Sequence, residues 1–158
     1  MRIALIMLAA GNSRRFGGNK LLYEIDGNPM YRYILERLIA VAGAGGQGKE
    51  VSSCVLETGS LKNIKQEMTV TVVTQYEEIE EEARALGVPV YINPHPDEGI
   101  SSSLKIGLKA NLDADACLFT VSDQPWLTAG TIRQLITLLE TTGKGIACVS
   151  SEGRLGNP

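Results

Sequence analysis

The segment that most restricts the fold is Ile3-Ala4-Leu5-Ile6-Met7-Leu8, an apolar run without alternation that leads into a loop beginning near Gly11. A strand with one solvated face would alternate apolar and polar residues. An unbroken run predicts a strand covered on both faces, as in a parallel sheet flanked by helices. Similar runs recur at Val70 to Thr74, Val88 to Ile92, Ala116 to Val121 and Gly145 to Ser150.

Helical stripes lie between these runs. Asn28-Pro29 reads as a capping side chain followed by proline at the first helical position. Met30, Ile34, Leu38 and Val41 follow at helical spacing, and Gly43 reads as the stop. Tyr76, Ile79, Ala83 and Leu86 form a second stripe, whose neighbours Glu77, Glu78, Glu80, Glu81 and Glu82 read as a solvated face. Ser101 to Lys109 predicts a third helix. Thr128 caps a fourth with Ile132, Leu135, Ile136 and Leu139 on its apolar side and Gly143 behind it. Five strands separated by helices predict a three-layer α/β/α, Rossmann-like, mostly parallel sheet.

Residues 1–158 read as one domain, since a chain of this length buries roughly two-thirds of its unfolded surface. Residues 43–66 hold four glycines early on (Gly43, Gly45, Gly46, Gly48) and no clear period, so a flexible or irregular insertion is expected there. Fifteen Lys and Arg against eighteen Asp and Glu leave a formal charge of −3, which argues against a general nucleic-acid binder. Cys54, Cys117 and Cys148 show no CxxC spacing and suggest neither a disulfide framework nor a zinc site. No secretory pattern follows Met1, and no apolar stretch approaches the roughly eighteen residues of a membrane span. A cytoplasmic protein with no membrane partner is expected.

Ligands of doubly wound sheets bind beyond the carboxyl ends of the strands, which directs attention to residues 9–20, 93–103 and 122–127. The first loop carries Gly11, Gly17, Gly18, Ser13, Arg14, Arg15 and Lys20 and no acid. Small residues let backbone approach a ligand, Arg15 offers a forked donor, and Lys20 offers a compact charge, so the loop reads as a phosphate site. The order of residues fits neither a P-loop nor a GxGxxG dinucleotide fingerprint. In the second loop, Ser101, Ser102 and Ser103 at a helix start combine a cap, spare hydroxyls and the positive end of the helix dipole. His95, the single histidine, reads as an exposed loop residue. In the third loop, Asp123 at a strand tip suits Mg²⁺, which takes one or two carboxylates and completes its shell with phosphate oxygens. Trp126 reads as packing beneath that turn.

The sequence LAAGxSxRFGxxK, here Leu8 to Lys20, resembles the signature of MobA-like nucleotidyltransferases, of the nucleotide-diphospho-sugar transferase type. Among them it is most similar to molybdenum cofactor cytidylyltransferases, because guanylyltransferases usually show Gly-Gly where Ala10-Gly11 stands. Two further segments carry the likeness: Asn93-Pro94 followed by Glu98-Gly99-Ile100-Ser101-Ser102-Ser103, and Ser122-Asp123-Gln124-Pro125-Trp126-Leu127.

The resemblance implies transfer of CMP from CTP to the phosphate of Mo-molybdopterin, with pyrophosphate released. It implies nucleotide contacts from Leu8, Ala9, Ala10, Gly11, Ser13, Arg15 and Lys20. Arg15, Lys20 and Asp123 would be catalytic, with Asp123 binding Mg²⁺ (or Mn²⁺). Ser101, Ser102, Ser103 and Gln124 would face the molybdopterin-type acceptor. Relatives continue beyond Arg154 to Pro158 with a strand, a helix and an acidic segment near the metal, so a domain short of these elements is expected. Two alternatives stay open: another phosphorylated acceptor, or an accessory protein that binds nucleotide or cofactor for an apo molybdenum hydroxylase without turnover.

Overall fold

A computed structural model describes residues 1–13, 17–46, 67–151 and 154–155. The chain opens with β1 (Arg2–Ala9), then the short strands β2 (Glu24–Ile25) and β3 (Asn28–Pro29), and helix α1 (Met30–Gly46). It continues through β4 (Glu67–Thr74), α2 (Glu77–Ala85), β5 (Val90–Ile92), α3 (Ile100–Lys109), β6 (Ala116–Val121) and α4 (Ala129–Thr142). Two-residue strands β7 (Ser150–Ser151) and β8 (Arg154–Leu155) close the order.

One parallel sheet in the order β5-β4-β1-β6 forms the centre. The unbroken apolar character of β1 is explained by burial on both faces. Ile3, Leu5, Met7 and Ala9 pack with Ile34, Leu35 and Leu38 of α1, Ile79 of α2, and Ile132 and Ile136 of α4. Ala4, Ile6 and Leu8 turn the other way, toward Val73, Leu104 and Ile106. The expected three-layer α/β/α architecture is present.

The order of strands places the functional end. From β1 the chain steps outward through β4 to β5, then returns by α3 to add β6 on the opposite side of β1. The direction of winding reverses between β1 and β6, and a crevice opens there because the connections leave their carboxyl ends on different sides.

Several local expectations need correction. Asn28-Pro29 does not cap α1 but forms β3, paired antiparallel with β2. The cause is Asp26-Gly27, whose φ angles of 51° and 80° make the two-residue turn with both centres left-handed that matches strand twist. Helix α1 runs through Gly43 to Gly46. Of the proposed irregular stretch, residues 47–66 lie outside the described residues, as does Cys54.

The acidic face of α2 is not uniformly solvated, because Glu82 pairs with Arg32 and Tyr31. The expected strand from Gly145 to Ser150 does not join the sheet: Ile146 is 85% exposed, and Ser150–Ser151 pairs with Arg154–Leu155 instead. An apolar run makes a segment competent for a strand, but backbone partners decide whether one forms. Thr128 does cap α4, accepting from the Thr131 N–H, and Gly143 ends it at φ 62°.

Candidate functional site

The loop leaving β1 is held from one side by three consecutive residues at the end of β4. Thr74 Oγ1 donates to Ala9 O at 3.0 Å, Gln75 Nε2 to Ala10 O at 2.8 Å, and the Tyr76 hydroxyl to Gly11 O at 2.6 Å. Burial raises the pKa of the Tyr76 phenol, keeping it a donor. Gln75 Nε2 also donates to Asn12 Oδ1 at 2.8 Å, which orients the Asn12 amide so that its Nδ2 reaches Asp97 Oδ1 at 2.7 Å. The first and second loops are thereby tied across the mouth of the crevice.

Farther along the first loop, Ser13 takes a left-handed conformation at φ 46°, and its Oγ accepts from the Lys20 N–H at 3.2 Å. The Asn19 side chain caps the short helical turn Lys20–Leu22 by accepting from the Leu21 N–H at 3.0 Å. Buried Leu21 anchors that turn in the core. The backbone of Lys20 is thus fixed while its side chain extends into the crevice.

The second loop is organised by Asn93, whose buried amide donates to Ser102 Oγ at 2.8 Å and Ser103 Oγ at 2.9 Å. Its Oδ1 accepts from the His95 N–H at 2.9 Å. The serines do not cap α3. Gly99 occupies the cap position at φ 84°, a conformation glycine adopts without steric cost, and the serines fall in the first turn behind it. Ser102 donates to the carbonyls of His95 and Gly99, so its hydroxyl is committed to the loop.

The third loop begins with Ser122, whose N–H and hydroxyl both donate to Leu8 O, at 3.1 and 3.0 Å. This pins the tip of β6 to the tip of β1. A turn closed by Leu127 N–H to Gln124 O follows, with the Pro125 carbonyl held by Arg37 of α1. Trp126 stands on this turn 77% exposed, contrary to the expectation that it packs underneath: the turn is held by its own backbone bond and by Arg37 rather than by the indole.

These three loops enclose a cavity of about 710 Å³. The first loop lines it with Leu8, Ala10, Gly11, Asn12, Ser13, Lys20 and Leu21. The second lines it with Pro96, Asp97, Gly99, Ile100 and Ser103, and the third with Val121, Ser122 and Asp123. At its wall, Lys20 Nζ stands 3.3 Å from Asp123 Oδ2, although 103 residues separate them in the chain.

Of the residues read from the sequence, Leu8, Ala10, Gly11, Ser13, Lys20, Ser103 and Asp123 meet at this cavity. Ala9 is buried behind the wall, Ser101 is exposed and Ser102 is buried in the loop. Gln124 lies outside the lining and closes the turn through its carbonyl. Arg15 lies outside the described residues. The sequence reading gave no site role to Asn12, Gln75, Tyr76, Asn93 or Asp97, although Asn12, Asn93 and Asp97 lie in the loops to which it directed attention. Gln75 and Tyr76 follow directly on the carboxyl end of β4, the one signal that could have pointed to them.

Among the described residues, no group of three or more His, Cys, Asp or Glu could hold a metal ion. A lone carboxylate such as Asp123, about half exposed at a cavity wall, still fits a hard cation that takes few protein ligands and the remainder from phosphate and water.

A family profile described as the MobA-like NTP transferase domain matches residues 5–158. Curated relatives match over shorter stretches. A probable molybdenum cofactor guanylyltransferase of Thermococcus sibiricus is 37% identical over 57 residues, covering 36% of this chain and 26% of that protein. One of Thermococcus gammatolerans is 56% identical over 32 residues, covering 20% of this chain and 17% of that protein. The matched part is therefore about a quarter or less of these relatives.

Among solved structures, CMP:2-keto-3-deoxy-manno-octonic acid synthetase in complex with CTP superposes with a TM-score of 0.66 at 19% identity, over 90% of this chain and 49% of that one. A Mycobacterium tuberculosis protein superposes with a TM-score of 0.56 at 20% identity, over 89% of this chain and 61% of that one. These likenesses show that the chain shares the fold of these proteins.

Proposed function

The chain belongs to the MobA-like NTP transferase family, and from that membership we propose that it transfers a nucleotidyl group to a phosphorylated acceptor. In the proposed reaction the acceptor's phosphate oxygen attacks the α-phosphorus of a nucleoside triphosphate. The new P–O bond forms as the bond from the α-phosphorus to the bridging oxygen breaks, and pyrophosphate leaves with that electron pair. Such chemistry is governed by alignment and charge stabilisation more than by a nucleophilic side chain.

The observation that carries the reading is the approach of Lys20 and Asp123 from two different strand ends at one cavity wall. Lys20, with Arg15, would balance the β- and γ-phosphates, and Asp123 would hold Mg²⁺ or Mn²⁺. Bound there, the cation would supply charge neutralisation at the triphosphate. The carbonyls of Ala9, Ala10 and Gly11 are held by Thr74, Gln75 and Tyr76, which gives the base-facing loop a fixed shape.

The preferred nucleotide in this proposal is CTP and the acceptor Mo-molybdopterin, giving molybdopterin cytosine dinucleotide. Ala10 before Gly11 and the triple serine after Ile100 favour that choice. GTP is the second reading, favoured by the guanylyltransferase names of the curated relatives. Transfer of label from α-³²P CTP or α-³²P GTP to Mo-molybdopterin, with Mg²⁺ and pyrophosphate measured alongside, tests both. Label transfer from CTP that disappears in Asp123→Ala is expected. Nucleotide binding with no pyrophosphate release from either substrate would instead favour an accessory role in delivering cofactor to an apo molybdenum hydroxylase.

A further inference from the structure

We propose that Lys20 bars Asp123 from divalent metal until a polyphosphate draws its ammonium away, so that metal enters with the nucleotide rather than ahead of it. This deepens the proposed function and rests on its assignment of Asp123 to the metal.

The pairing is built from both sides. Lys20 is fixed at its backbone by Ser13 Oγ and by the Asn19-capped turn, with Leu21 buried beside it. Asp123 follows Ser122, which is bound twice to Leu8 O. With both backbones anchored, only side-chain freedom is lost in bringing the heads to 3.3 Å.

The pair is also separable. The Lys20 side chain is 38% exposed and that of Asp123 45%, so solvent screens their attraction and neither is trapped. A metal on Asp123 would have few other protein ligands, since no cluster of three candidate ligands exists among the described residues. Its affinity would then depend strongly on the charge beside it. An ammonium on one carboxylate oxygen lowers the carboxylate's pull on a dication and repels that dication within a few ångströms. A triphosphate offers Lys20 several anionic oxygens in place of one shared carboxylate, removing both penalties together.

The test is calorimetric titration of Mn²⁺ alone into the full chain at low ionic strength, with folding checked by circular dichroism. Lys20→Met, which keeps length and removes charge, should bind Mn²⁺ about tenfold more tightly than the parent. Lys20→Arg, which keeps the charge, should stay within about twofold of it. Lys20→Met combined with Asp123→Asn should lose the gain. Mn²⁺ affinity in Lys20→Met no higher than in the parent, with binding still abolished by Asp123→Asn, overturns the barring role and leaves the metal assignment standing. Mn²⁺ binding undiminished in Asp123→Asn overturns the metal assignment, and this inference with it.

Discussion

Asn93 shows how a single buried amide shapes a loop that has little other reason to hold its form. It is 2% exposed and serves Ser102, Ser103 and the His95 N–H at once. Asn93→Ala removes the partner of two buried hydroxyls and of a backbone N–H, which should cost about 2–3 kcal/mol in urea unfolding. Because Ser103 and Gly99 line the cavity, the same variant should weaken nucleotide binding. Equal stability in the variant would mean that solvent replaces the amide. Lys20 offers a complementary expectation: Lys20→Ala should weaken CTP binding by about tenfold or more while free cytidine binds as before, read by calorimetry.

At the scale of elements, two contacts set how helices sit on the sheet. Helix α3 lies so close to β1 that a Cβ at Gly107 would stand 2.8 Å from Ile6 Cγ2. Ile6 is fully buried and stiff at χ1, so it yields poorly. Overpacking costs about 1–3 kcal/mol and alanine regains up to about 1 kcal/mol of helix propensity, so Gly107→Ala should lose about 1–2 kcal/mol by denaturant unfolding.

Helices α1 and α2 are joined by Glu82, whose carboxylate accepts from Arg32 Nε at 2.6 Å and from the Tyr31 hydroxyl. Burial pushes the Glu82 pKa up, but the hydrogen bonds from Arg32 and Tyr31 outweigh it and hold the carboxyl below its ordinary range. Burial, reinforced by Glu82, holds the Tyr31 phenol above its ordinary value. A folded-state pKa below the unfolded one means that the ionised pairing stabilises above the unfolded value of about 4.3 and fades as pH falls through the folded value. The melting temperature of the parent should therefore exceed that of Glu82→Gln at neutral pH. The difference should shrink on acidification below about pH 4. A constant difference from pH 7 to pH 3 would contradict this linkage.

For the molecule as a whole, the site is a property of sheet order, because β1 and β6 supply its two sides and β4 clamps the first loop. Ligand that bridges those sides should stabilise the unit that contains them. Nucleotide with Mg²⁺ at about a hundred times its Kd should add about 2.7 kcal/mol, or roughly 5–10 °C in Tm for a chain of this size. Asp123→Asn should remove most of the part of that shift that depends on Mg²⁺, measured by differential scanning fluorimetry. No helix among the described residues is long and apolar enough to cross a membrane.

The strand runs and helical stripes follow from side-chain periodicity, which is local, so β1, β6, α2, α3 and α4 were legible without coordinates. The cavity positions of Lys20 and Asp123 were legible from place and composition, Lys20 in a loop that carries cations and no acid and Asp123 at the tip of an apolar strand. Four features depended on which partners a segment or side chain finds. Asp26-Gly27 turned Asn28-Pro29 into a strand by giving it a partner, and Gly145 to Ser150 stayed out of the sheet for want of one. The network from Gln75 through Asn12 to Asp97, and the meeting of Lys20 with Asp123, arose only when the reversal of winding brought separate strand ends together. A hydrogen bond or ion pair across such distances leaves no periodic trace in the chain, because its geometry exists only after the sheet has assembled.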